Sequence, residues 1–573
     1  MPHPRVQQSR LRVLCDRIRC VRNIGANAEA TSDRYDQAPL VRRQVLTYSA
    51  GNKSTPSHAR KMFRGQTIDN DSTKSLVDWI EACKDHPECA LQRSVVSLPT
   101  RIIDLESEPP KLCNGRDAQV NSCRYVYLSH RWGDEVAPPQ VLKVAHLSDY
   151  ECGIDMSTLP ALWRETMMIV REIGYRYLWI DALCVVQDDE EEKCKEVAAM
   201  GSYVANADMV FAPTNMSAND HLAPESLPLD MCEPFLARFE DQNDAFKIHI
   251  RQPLQTALEI MAQGVLSRCW RQQEALLPRR LVIFGREQLH WNCAHGLLSQ
   301  GDAWTTPTPW TSLPNLRSMR QHRSQYLPAG VMRNNAYRYW YSLVETNSRG
   351  ELTYSTDRFS SFIGLGREVS QILDHEEIEA GMLSKDMRHG LLWIHMPDSK
   401  AGRSQNYEDE CYAAPSWSWL SASKPVSHGL VPGLQKAHEA LQLPDVHFTV
   451  EELLVSTGRS PIRQAVVSEH HLKPGCFLRI SSLALAAIAE NKPSFQEFSC
   501  FFDAEDNVHT TKMENPYFVL VAPWTFSPGR SSRWAGLILC SDEHKRCIRT
   551  GVFLGPRCDE GLSLWKRQTF EIY

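Results

Sequence analysis

Neither a Gly-x-Gly-x-x-Gly turn nor a phosphate loop ending in Lys-Ser/Thr occurs in the chain, which excludes the usual Rossmann cofactor site and a P-loop nucleoside triphosphatase. No run of about 18 apolar residues is present, so no membrane span is expected. The opening stretch MPHPRVQQSRLRVLCDRIRCVRN lacks an apolar core of signal-peptide length. Its arginines suggest a mitochondrial presequence, but Glu29, Asp33 and Asp36 count against one. Positive charge is not in excess: 63 Lys and Arg stand against 69 Asp and Glu, a net charge of −6. A nucleic-acid-coating protein carries the opposite balance. The 18 cysteines are scattered and trace no disulfide framework. They are expected to be buried thiols of a reducing, cytoplasmic compartment.

What is there is ordinary globular composition, 42% hydrophobic and 23% charged, over 573 residues, enough for two to four domains. Fifteen tryptophans imply a densely packed interior. Residues 1–70 are polar and aperiodic and read as a disordered segment. Residues 71–120 form a lead-in with one short helix, where Leu76, Trp79, Ile80 and Cys83 fall on one face. Residues 121–300 alternate strand and helix. RYVYLS, YRYLWID and ADMVFAP read as strands. LPALWRETMMIVREIG reads as a helix opened by Pro160 and closed by Gly174. A second helix begins at the acidic run 188–192, which complements the helix dipole better than it resembles a calcium loop. Alternation of this kind predicts an α/β domain with a parallel sheet. Within it, residues 216–260 read as irregular. Residues 301–430 form a helical and loop extension, with APSWSW (414–419) as a plug between domains. Residues 431–573 are β-rich, a sandwich or meander.

One metal pattern stands out, Cys83-x2-His86-x2-Cys89. Structural zinc needs a fourth ligand. Cys113 and Cys123 are the nearest candidates, neither compelling, so the expectation is no metal.

Four blocks in order resemble the fungal heterokaryon-incompatibility (HET) domain: YVYLSHRWGDE, LPALWRETMMIVREIGYRYLWIDALCVVQDD, MGSYVANADMVFAPTN and SRCWRQQEALLPRRLVIF. The resemblance runs from Tyr125 to about Glu274, with His130 standing where the family usually has Tyr. Gly133, Trp179, Cys184, Gln187 and Trp270 belong to its motif positions. The HET domain is in turn similar to TIR domains, which implies a flavodoxin-like sheet. Trp270 and Glu274 match the plant TIR pattern Ser-x-Trp-x-x-x-Glu-Leu. The resemblance implies that Glu274 is a catalytic carboxylate cleaving NAD+ at its nicotinamide–ribose bond, with NAD+ as substrate and no resident cofactor. It implies a role in non-self recognition and programmed cell death, with self-association and a separate recognition protein or incompatible allele product as partners. The alternative is a death-effector scaffold or partner-binding module without chemistry.

Ligands of open α/β sheets bind beyond the carboxyl ends of the strands. Ser129, Arg131, Trp132, Asp134 and Asp181 lie there and are the expected ligand contacts. Arg131 suits a phosphate and Trp132 a planar base. Each has a plainer reading: Asp181 as a turn cap, Trp132 and Trp179 as core, Arg131 in an ion pair with Asp134 or Glu274, Cys184 as a buried small hydrophobe.

Overall fold

The computed structural model describes residues 45–47, 70–89, 98–115, 124–132, 140–214, 218–222, 235–241, 244–250, 268–285, 288–299, 329–352, 357–396, 414–422, 424–429, 449–454, 477–486, 499–503, 514–524, 533–541, 547–557 and 565–573. Asp134, Gly133 and Cys123 lie outside them. The chain divides into two units. The smaller contains a hairpin, Phe235–Asp241 with Asp244–Ile250, whose second strand also pairs with Val45–Thr47. This corrects the irregular reading of 216–260. The alternation is present, with Lys247 and His249 between Phe246, Ile248 and Ile250, but it spans only a few residues in each strand and was passed over.

The larger unit opens with helix α1 (Asn70–Lys84), whose Leu76, Trp79, Ile80 and Cys83 are buried as their spacing predicts. An eight-stranded sheet follows. Its strands are β1 (Arg101–Asp104), β2 (Lys111–Asn114), β3 (Tyr125–Leu128), β4 (Tyr177–Trp179), β5 (Met209–Pro213), β6 (Arg280–Phe284), β7 (Leu289–Cys293) and β8 (Gly296–Ser299). Their order is β8-β7-β6-β5-β3-β4-β1-β2. The four central strands, β4, β3, β5 and β6, run parallel, and the flanking pairs are antiparallel. Every residue of β3, β4, β5 and β6 is buried. That is the signature of parallel strands covered on both faces, and it explains why these runs read as continuous rather than alternating apolar stretches.

Helices α2 (Ala161–Glu172), α3 (Asp181–Cys184), α4 (Glu190–Asn206) and α5 (Cys269–Leu276) fill the connections. Pro160 precedes α2, and Gly174, at φ +84°, turns the chain out of it as expected. Asp189 caps α4 by accepting from the Glu192 backbone N–H. Two further helices, α6 (Ala329–Ser348) and α7 (Asp357–Ile372), pack with α4 and α5. Gly201 of α4 meets Gly364 of α7 where a Cβ on Gly201 would lie 2.7 Å from the Gly364 Cα and 3.0 Å from Gln273 Oε1. A backbone atom cannot yield as a side chain does. Gly201→Ala is expected to cost about 1–3 kcal/mol, visible as a lower denaturation midpoint with unchanged slope.

The C-terminal strands are β9 (Thr449–Leu454), β10 (Phe477–Ala486), β11 (Ser499–Phe502), β12 (Glu514–Trp524), β13 (Arg533–Ser541), β14 (Cys547–Arg557) and β15 (Lys566–Ile572). β12, β13 and β14 form the expected meander. The last strand, β15, then pairs with both β10 and β14 and closes five strands into a ring. The sandwich reading is therefore replaced by a closed sheet, whose closure rests on a long-range pairing no local pattern announces. The APSWSW segment is a turn within the larger unit rather than an extended plug between domains. Ser416 binds the Tyr573 carbonyl at the end of the ring. Trp419 donates to the Gly381 carbonyl at 2.6 Å and packs on Phe362 of α7. Among the described residues, no helix is long and apolar enough to cross a membrane.

Candidate functional site

The order of strand addition reverses at β3, because β4 lies on one side of it and β5 on the other. Such a switch point opens a crevice beyond the strand ends. Helix α5 stands over it. From α5, Glu274 reaches the β3 end, where its Oε2 accepts from Ser129 Oγ at 2.5 Å and its Oε1 from Tyr127 Oη at 3.1 Å. One turn earlier, Arg271 reaches the β5 end and donates to the Pro213 carbonyl at 3.4 Å. Ser129 is set in place by its own N–H, which extends the β3–β5 ladder to the Phe211 carbonyl.

Glu274 is 9% exposed, and desolvation raises its pKa. Donation from Ser129, the charge of Arg271 and donation from Tyr127 act the other way but do not outweigh burial and the charge of Asp181. Arg271 is 4% exposed. Desolvation pulls its pKa down, and Arg268 and Arg131 add like charge. Among the described residues its five donors find one acceptor, and that bond is long. An anion placed against this buried guanidinium would balance its charge.

Asp181 occupies the end of β4. Its Oδ1 accepts from the Ala182 N–H at 2.8 Å, as the capping reading expected. Its Oδ2 accepts from Trp132 Nε1 at 2.9 Å. The side chain stays 27% open, so it is both a cap and reachable. Desolvation lifts its pKa to about 6. Between about pH 4, where an unfolded Asp titrates, and pH 6, the native chain keeps a proton that the unfolded chain gives up. Stability from this group is therefore complete at low pH and is lost as pH rises through about 6. The difference in melting temperature between wild type and Asp181→Asn is expected to change across that window and to be flat above it.

His130 is buried, accepts from Trp163 Nε1 at 2.7 Å on its Nε2, and has its pKa lowered to about 3 by desolvation. It is neutral, and with Nε2 accepting, the proton is assigned to Nδ1. That atom lies 3.7 Å from Asp181 Oδ1, too far to bond, and makes no side-chain hydrogen bond among the described residues.

Of the residues expected from sequence, Ser129 and Glu274 are joined directly, and Trp132 and Asp181 are joined beside them. Arg131 is exposed, and its charge reaches Arg271. Trp179 is core, stacked on Tyr127 with centroids 4.6 Å apart. Cys184 is buried, and desolvation raises its thiol, as befits a small hydrophobe. Gln187 ties the turn after α3 by donating to the Asp181 and Val185 carbonyls. Trp270 is half-buried and packs against the core. Sequence reasoning missed Tyr127, His130 as a site group, and Arg271. The available signal for Arg271 was its place one helical turn before Glu274.

Residues 125–274 match the family model described as heterokaryon incompatibility protein (HET), and the chain is a HET-domain protein over that segment. It is similar to heterokaryon incompatibility protein 6, OR allele, of Neurospora crassa, at 25% identity over 126 residues, 21% of this chain and 18% of that relative. The chain thus spans under a fifth of the length of the curated relative it matches. No solved structure matches it.

Proposed function

We propose that the chain acts in fungal incompatibility and that its HET domain hydrolyses NAD+ or a related dinucleotide, causing cell death by dinucleotide loss or by a nucleotide signal. The observation that carries this is the pairing, over one switch point, of the Glu274–Ser129 contact with the under-bonded buried Arg271. The order of the parallel strands, β4-β3-β5-β6, supports a flavodoxin-like and hence TIR-like reading, since it is second-first-third-fourth in chain order.

In the reaction the C1′–N bond breaks, and its electron pair leaves with nicotinamide. Water adds to C1′ and loses a proton, giving nicotinamide, ADP-ribose and H+. Ionised Glu274 would offset the oxocarbenium charge at C1′. Arg271, with Arg268 and Arg131 near it, would hold the diphosphate. Trp132 would stack on a planar base while its indole N–H stays on Asp181. The His130 Nδ1–H would donate to a ligand oxygen.

The full chain, clustered by a dimerising tether, is expected to consume NAD+. A folded, clustered chain that leaves NAD+ intact would reject this chemistry. The burial of Glu274, with both oxygens already hydrogen-bonded, would then mark it as part of a scaffold that binds a partner.

A further inference from the structure

Far from the switch point, four side chains of metal-ligating type meet. Cys83, His86, Cys89 and Cys293 bring one donor atom each to within 4.8 Å of one another. Three come from the end of α1. Cys83 lies in its last turn, the His86 N–H bonds the Cys83 carbonyl, and the Cys89 N–H bonds the His86 carbonyl at 2.9 Å. The fourth, which the sequence reading lacked, is Cys293, the last residue of β7. Cys113 is not part of the cluster; its thiol donates to the Ile102 carbonyl at 3.3 Å.

We propose that these four residues bind a structural zinc ion as a Cys3His site that pins α1 to the edge of the HET sheet. A tetrahedral ion with zinc–sulfur bonds of about 2.3 Å and a zinc–nitrogen bond of about 2.0 Å requires sulfur–nitrogen separations of roughly 3.5–3.6 Å. His86 Nδ1 lies 3.9 Å from Cys89 Sγ and 3.8 Å from Cys293 Sγ, within a few tenths of an ångström of that requirement. The surroundings suit thiolates. Arg280 Nε donates to Cys83 Sγ at 3.3 Å and is itself held by Asp208 at 2.9 Å. The His86 ring stacks on His295, centroids 4.0 Å apart, which fixes its orientation. Three thiolates and one divalent ion leave a net charge of −1, which Arg280 offsets. All four positions of the tetrahedron are taken by protein, so the site is structural and leaves no place for a substrate or activated water. Soft thiolates with one imidazole favour zinc over calcium or magnesium. Three of these residues stand before the HET family match and one after it, so the ion would make α1 and β7 part of the folded domain although both lie beyond residues 125–274.

The test is metal analysis of the full chain, purified under reducing conditions without chelator. About one zinc per chain is expected. Cys293→Ser should carry at least about ten-fold less, and Cys113→Ser should carry as much as wild type. Should Cys293→Ser fail to fold, cobalt reconstitution of the wild-type chain decides, with the visible absorption of tetrahedral thiolate-bound cobalt expected. Substoichiometric zinc in a reconstituted, folded wild-type chain would overturn the assignment. So would bound iron, a disulfide among these cysteines by mass, or full zinc retention by a folded Cys293→Ser variant.

Discussion

Glu274→Gln should leave the chain folded, make it more stable at neutral pH by about 0.5–2 kcal/mol, and lower NAD+ consumption by about 10²–10³-fold. The two effects come from one cause. The surroundings of Glu274 disfavour its charged form on balance, since burial and the nearby charge of Asp181 outweigh Ser129, Arg271 and Tyr127 together. A neutral isostere removes that cost. Both partners are hydroxyls, which either donate or accept. The Gln side-chain oxygen can still accept from Tyr127, and its amide can donate to Ser129 once that hydroxyl rotates. The contacts survive, but the negative charge does not. Nicotinamide leaves as a neutral molecule and needs no proton, so the ionised carboxylate is the working form. Wild-type activity should therefore rise with pH as Glu274 ionises, while the native state loses this group's stability contribution over the same interval. Thermal unfolding and NAD+ loss measured on one preparation check both. A Gln variant that is less stable than wild type, or equally active, would contradict this account.

Much of this was legible because the local signals agreed with one another. Continuous apolar runs at YVYL, YLW and MVFAP gave buried parallel strands, and Pro160, Gly174 and the acids at 190–192 marked helix ends. Ser129 and Asp181 therefore fall just past strand ends, as expected. Tyr127 was not singled out, because in a strand buried on both faces a tyrosine looks like core, and its ring is core; only its hydroxyl reaches Glu274. Arg271 was hidden for the opposite reason. CWRQQEAL reads as a polar, solvated helix, yet Arg271, Gln272, Gln273 and Glu274 are all buried, because α7 covers α5. Cys293 lies far along the chain from Cys89, and no spacing rule joins a helix end to a strand edge across that interval. Asp181 was left open between cap and ligand contact; its carboxylate accepts from the Ala182 N–H, and its side chain stays 27% exposed.

Arg271→Met should weaken dinucleotide binding by about 30-fold to several thousand-fold, with little loss of stability in the unliganded chain. Removing one member of a buried charge pair in a complex costs about 2–5 kcal/mol. In the unliganded protein the same guanidinium is a burden, since it is buried and makes one long hydrogen bond among the described residues. Methionine keeps the length and apolar stem while discarding the charge, and it also relieves the repulsion from Arg268 and Arg131. The lost attraction to Glu274 opposes that relief, so the unliganded melting temperature should move by only a few degrees. Arg268 is half-buried and less desolvated, so Arg268→Gln should weaken binding less, by about tenfold or under. The measurement is equilibrium binding of a non-hydrolysable dinucleotide analogue at two salt concentrations. Loss confined to Arg271→Met, with the weaker salt dependence of a buried contact, would place the diphosphate at the switch point. Equal binding by wild type and Arg271→Met would remove the anion from this crevice and leave the buried cation to balance Glu274 within the fold.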